Sequence, residues 1–134
     1  MSAIESAREW YRFAKMDSDT ARHIFNTMNP KPLEISCYLS QQSAEKLLKG
    51  FLTENDKDPP KTHDLLYLCD MCIKIDDIFE PLRVYLGKLN PYGVQPRYPQ
   101  EMDIIEDDVI QALKYLDSIT AFFEKNIFEK NTAI

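Results

Sequence analysis

The sequence predicts an all-α protein, an antiparallel up-and-down bundle of four to five helices in a single domain over residues 1–134. Three observations predict it. Apolar residues recur at helical spacing in segment after segment, and no stretch alternates apolar with polar side chains as a half-buried strand does. Prolines, together with Asn29, Asn55 and Gly93, punctuate the links between these segments. The links are mostly short, which makes successive helices antiparallel neighbours, and 134 residues are enough to bury a core without staples.

The first helix runs from about Ile4 to Met28, with Trp10, Phe13, Ala14, Ala21, Ile24 and Met28 on one face. It stops before Asn29-Pro30-Lys31-Pro32, where two prolines forbid continuation. A second spans roughly Leu33 to Glu54 and ends in Asn55-Asp56-Lys57-Asp58-Pro59-Pro60. Its residues Gln42, Glu45, Lys46 and Lys49 form one stripe, while Ala44, Leu47, Leu48 and Phe51 gather opposite. Thr62 is placed to cap a third helix that opens at His63, with Asp64 near the positive end of its dipole, and that runs to about Ile75. Asp77 and Glu80 have capping-box spacing for a fourth, which carries Pro81 in its first turn and the stripe Leu82, Tyr85, Leu86, Leu89. A segment from Asn90 to Asp103 follows, with three prolines and Gly93; so long a link is either functional or disordered. The last helix opens with Asp103 and Glu106 in capping-box spacing and has the longest stripe: Ile105, Val109, Ala112, Leu113, Leu116, Ile119, Phe123 and Ile127.

Composition narrows the functional classes. The formal charge of −6 argues against broad, nonspecific binding to nucleic acid, which relies on a basic surface, but leaves room for a local basic pocket. No apolar run reaches the roughly 18 residues of a membrane span, and Glu5, Arg8 and Glu9 stand where a signal peptide would have its apolar core. A cytoplasmic protein without a membrane is the expectation. The three cysteines, Cys37, Cys69 and Cys72, are an odd number and make no disulfide framework. Cys69 and Cys72 share an apolar helical stripe with Leu65, which reads as core rather than metal or redox chemistry. No metal or cofactor is expected.

Asp17 is the residue that periodicity does not explain. It falls amid the apolar face of the first helix, where an unpaired charge costs several kcal/mol, so a cation must meet it. Lys46, Lys49, His63 and Arg97 are the candidates. Glu45 and Lys49 make a favourable i,i+4 pair, worth only about 0.2–0.5 kcal/mol on a solvated face. Lysines beside a helical cleft can instead neutralise a phosphate. Histidine as a side-chain type changes charge near neutral pH, which makes His63 a candidate ligand contact. Arg97, flanked by Tyr92 and Tyr98, can bind a phosphate bidentately, stack on a ring or pair with Asp17.

These residues resemble a known family, the higher eukaryotes and prokaryotes nucleotide-binding (HEPN) domain. The resemblance rests on Gln42-x-x-Glu45-Lys46-x-x-Lys49 in one helix and His63-Asp64-Leu65 opening the next. It extends to Trp10, Ala14, Asp17 and Ala21 in the first helix and to Arg97-Tyr98-Pro99 before the last, and so to roughly residues 8–125. The resemblance implies a polar cleft built by Asp17, Gln42, Glu45, Lys46, Lys49, His63, Asp64, Arg97 and Tyr98. It also implies a nucleotide or other phosphate-bearing ligand, a homodimer, and a partner of the minimal nucleotidyltransferase kind found in toxin–antitoxin pairs. Ribonucleases of the family carry an Arg, four to six residues, then a His. Here Arg22 abuts His23, no Arg precedes His63 within reach and no His follows Arg97, so the chain is similar to the small prokaryotic type without that motif. A non-catalytic binding module is the leading expectation. The alternatives are a metal-independent ribonuclease toxin with an atypical site using Arg97 and His63, and a purely structural dimerisation module.

Overall fold

The computed structural model describes residues 1–94 and 103–132. Its elements are α1 (Ala3–Thr27), α2 (Leu33–Glu54), α3 (Leu65–Ile75), a 3-10 helix (Asp77–Leu82), α4 (Arg83–Leu89), a 3-10 turn (Asn90–Gly93), α5 (Glu106–Phe123), a π-helical turn (Glu124–Phe128) and α6 (Glu129–Thr132). Among the described residues there is no strand. The all-α bundle predicted from periodicity is the observed fold.

The centre of the bundle is α2, which touches α1, α3, α4, α5 and the Asn90–Gly93 turn. That position explains why the two-sided pattern on α2 is buried on both sides. Leu47, Leu48, Phe51 and Leu52 join the core with Cys37 and Ala44, and Gln42, Glu45 and Lys49 are buried on the face that was to be polar. Ring contacts of Phe79 with Phe51, Phe122 and Phe123 tie the 3-10 helix to α2 and α5.

The α1–α2 pairing is made by small residues. Ala7, Ala14 and Ala21 are the fully buried alanines of α1, seven apart, and the facing positions on α2 are Gly50, Ser43 and Ser36. Ser43 Oγ donates to the Ala14 carbonyl at 2.7 Å and Ser36 Oγ to the Ala21 carbonyl at 3.2 Å. At Gly50 a Cβ would lie 2.4 Å from Tyr11 Cε1, so the Tyr11 ring lies flush on the glycine. This seam turns α1 relative to the face read from its larger residues. Phe13 and Met28, expected inside, are exposed, and Asp17 lies at the edge of the buried face rather than at its centre.

The helix ends differ from the sequence reading in a consistent way: the acceptor that best fits the backbone wins. Asp64, not Thr62, caps α3, its Oδ1 accepting the N–H groups of Leu66 and Tyr67, so the helix begins at Leu65 rather than His63. Asp76 accepts from Ile78 N–H and opens the 3-10 helix, displacing the Asp77–Glu80 box and leaving Pro81 within that helix. At α5 the Asp108 carboxylate accepts from Ile105 N–H at 2.9 Å, so Ile105 is the exposed cap residue and not a core residue, and the Asp103–Glu106 box is not used. Val109, Ala112, Leu116, Ile119, Phe123 and Ile127 of the predicted stripe are buried.

Candidate functional site

One flank of the α1–α2 seam gathers the polar side chains. Glu45 is its hub, with 5% of its side chain exposed. Its Oε2 accepts from Lys49 Nζ at 3.0 Å, and its Oε1 from Gln42 Nε2 at 3.4 Å. His63 Nδ1 lies 2.8 Å from the same Oε1. A carboxylate oxygen accepts, so Nδ1 donates to Glu45 and Nε2 is the ring nitrogen left for another partner. Lys49, 9% exposed, is also 5.9 Å from the centre of the Trp10 ring, within cation–π range. Next along the flank, Lys46 Nζ meets Asp17 Oδ2 at 2.5 Å with 23% and 16% of the two side chains exposed.

The inward-facing residues are thus locked while His63 is not: 65% of its side chain is exposed above the buried carboxylate. Its backbone is fixed by a residue that periodicity did not single out. Gln41 is fully buried, donates Nε2 to the His63 carbonyl at 2.8 Å and accepts from Gln42 Nε2 at 2.8 Å. Gly93 covers this junction, where a Cβ would come within 3.0 Å of Gln41 Nε2 and 3.5 Å of the His63 oxygen. No sequence signal marked Gln41, because one amide beside a polar stripe carries no periodic signature of its own.

Of the expected site residues, Asp17, Gln42, Glu45, Lys46, Lys49 and His63 come together on this flank. Asp64 does not join them; its carboxylate caps α3 and accepts from Asn90 Nδ2 at 3.1 Å. Arg97 and Tyr98 lie outside the described residues. The Asp17 partner is therefore Lys46, one of the cations anticipated for it. Among the described residues no cluster of three or more His, Cys, Asp or Glu side chains gathers as metal ligands. Cys37, Cys69 and Cys72 are buried and free. Burial pushes the Cys37 thiol up to about 12 and the Cys69 thiol up to about 11, so neither is a ready nucleophile.

Two carboxylates and two ammonium groups cancel in two ion pairs, and a histidine with one nitrogen held in place stands at the edge. This arrangement leaves one imidazole open to solvent with its ring direction fixed by Glu45. The model of the HEPN domain family matches residues 7–127, nearly the whole chain. The chain belongs to the HEPN domain family. Among solved structures, the crystal structure of TT1696 from Thermus thermophilus aligns with this HEPN chain at a TM-score of 0.75 and 24% identity. The alignment covers 89% of this chain and 96% of that one, and it establishes a common fold. No curated protein matches the chain. Among the described residues of this HEPN domain, no helix is long and apolar enough to cross a membrane.

Proposed function

We propose that this HEPN protein is a non-catalytic binding module that holds a nucleotide or other phosphate-bearing ligand where His63 and Lys46 reach the surface. The observation that carries the reading is the Glu45–His63 pair, a buried carboxylate gripping one nitrogen of an imidazole that is otherwise open to solvent. Such a grip fixes the ring's direction before a ligand arrives, which lowers the ordering cost of binding. A protonated His63 offers its Nε2–H to a phosphate oxygen, with Lys46 as the second, partly exposed cation. The sequence has no Arg placed four to six residues before a His, so no general acid and base are paired for 2′-hydroxyl attack. The reading extends to a cytoplasmic homodimer acting beside a nucleotidyltransferase partner, on the strength of the family resemblance alone.

Calorimetric titration of the protein with ATP, ADP, AMP and inorganic phosphate tests the core of this. Saturable binding of at least one is expected, weakened at least tenfold in His63→Ala, a substitution at an exposed side chain that leaves the fold intact. Absence of heat and of any thermal shift with all four would reject the ligand. Incubation with a mixed RNA pool should leave it uncut. Fragments that disappear with His63→Ala would instead establish a ribonuclease.

A further inference from the structure

A groove of about 590 Å³ runs along the other flank of the α1–α2 seam, away from His63. It exists because of the small residues in that seam. Alanines facing serine and glycine draw α1 down onto α2, and α1 then hardly reaches α5. The walls are α1 on one side and α5 with the π-helical turn on the other, and Ala14, Ser43 and Leu47 make the floor. The π-helical turn carries Glu124 and Phe128 into the lining, and the Phe128 ring packs against Tyr11 at 4.8 Å. Such turns are uncommon and recur at functional sites.

The shape of the groove selects the occupant. Its lining extends along α1 from Ile4 to Arg22, about 27 Å at the 1.5 Å rise of a helix. Spread over that length, about 590 Å³ makes an elongated groove rather than a compact pocket, a shape that suits one row of side chains from an elongated occupant. An extended peptide would bring unpaired backbone groups to a surface that, among the described residues, has no strand edge to meet them. A helix satisfies its own backbone and presents such a row.

Charge adds the flanks. The α1 wall carries Arg8, Arg12, Lys15, Asp19 and Arg22, of which Arg12 and Lys15 pair with Glu9 and Asp19 on the same helix, and Asp117 and Glu124 stand opposite. An Arg22–Asp117 ion pair bridges the walls at one end. At the Tyr11–Phe128 end, Arg8 and Glu124 have no ion-pair partner among the described residues and face the groove from opposite sides. We propose that this groove docks an amphipathic helix of a protein partner, which lays one apolar row on the floor and carries an acidic residue toward Arg8 and a basic residue toward Glu124.

Fluorescence anisotropy with labelled synthetic 18-residue helical peptides tests this. Each carries one leucine row, and the residues flanking it are acidic on one side and basic on the other, acidic on both, or basic on both. The mixed peptide should bind at least tenfold more tightly than the other two. Arg8→Glu should shift the preference at least tenfold toward the all-basic peptide, and Glu124→Lys toward the all-acidic one; both changes are at exposed side chains. Equal binding of the three peptides, no binding at all, or a preference that ignores the two substitutions would overturn the proposal. So would sedimentation velocity in which the mixed peptide and Arg8→Glu each dissolve a dimer of the chain, because the occupant would then be a second copy. The nucleotide titration concerns the opposite flank, so either proposal can fail alone.

Discussion

Glu45 and Asp17 each answer a lysine on α2, but water reaches them differently. The Glu45–Lys49 side chains are 5% and 9% exposed, those of Asp17 and Lys46 16% and 23%. Removing one partner of a buried pair leaves the other charged in a poor solvent, a loss of about 3–5 kcal/mol, whereas exposed pairs contribute about 0–1 kcal/mol. Glu45→Ala also strips Gln42 and His63 of an acceptor. It should therefore destabilise the fold by about 3–5 kcal/mol, and Asp17→Ala by less, about 1–3 kcal/mol, because water can approach Lys46. Asp17→Asn should lose less still, since the amide retains an acceptor. Urea denaturation of the three variants checks the order. A Glu45→Ala shift inside the range of about 0.5 kcal/mol typical of surface changes would mean that the network is solvated.

Two helical glycines make opposite predictions at the scale of elements. A Cβ on Gly50 would meet Tyr11 Cε1 at 2.4 Å and Cδ1 at 2.8 Å. The ring cannot swing aside: its hydroxyl donates to Glu54 at 2.9 Å, and Phe123 and Phe128 pack on it. Gly50→Ala should pry α1 from α2 and destabilise by about 1–3 kcal/mol despite the better helix propensity of alanine. At Gly87, in α4, the nearest atom to such a Cβ is Leu66 Cδ2 at 4.0 Å, an ordinary contact. Gly87→Ala should stabilise by about 0.5–1 kcal/mol. Thermal denaturation of the pair decides the point, and a shift of the same sign in both would sink the close-seam account. This seam is also where the sequence was least legible. Helix spans followed from prolines and apolar period, and α2 was read to its residue limits, Leu33 to Glu54. The rotation of α1 was misjudged because Phe13 and Met28 outweigh alanines in any hydrophobic pattern, while close approach depends on the absence of bulk. The pairing of Asp17 with a cation was legible because charge on an inward-facing helix needs a partner. Gln41 was not, since a single amide carries no periodic signature, and its value lies in reaching the carbonyl of a residue 22 positions away.

The molecule as a whole is built around α2, and its thiols report on that packing. Cys37 lies on α2, and Cys69 and Cys72 lie on α3, where their Sγ atoms reach the carbonyls of Phe79 and Leu48 at 3.8 Å. Burial is the largest cause that raises all three thiols: Cys69 to about 11, Cys37 to about 12, and Cys72 also upward. Desolvation disfavours the thiolate, whereas the unfolded chain ionises near the ordinary value of 9.0. Above that value the unfolded state has released protons that the native state still binds, so stability falls as pH rises. The stabilisation is complete below pH 9 and is lost progressively toward pH 11 to 12. Each thiol that is ionised only in the unfolded chain contributes a slope of about 1.4 kcal/mol per pH unit. Tyr92, raised to about 12 mainly by burial with Cys37 beside it, steepens the decline above the ordinary tyrosine value of 10.0. Denaturant midpoints measured from pH 8 to 10.5 should therefore stay level to about pH 8.5 and then drop, and Cys69→Ala should drop less steeply because one proton no longer counts. A level curve over the whole range would mean that the thiols meet water in the native state, and that α3 does not close over α2 as the core packing requires.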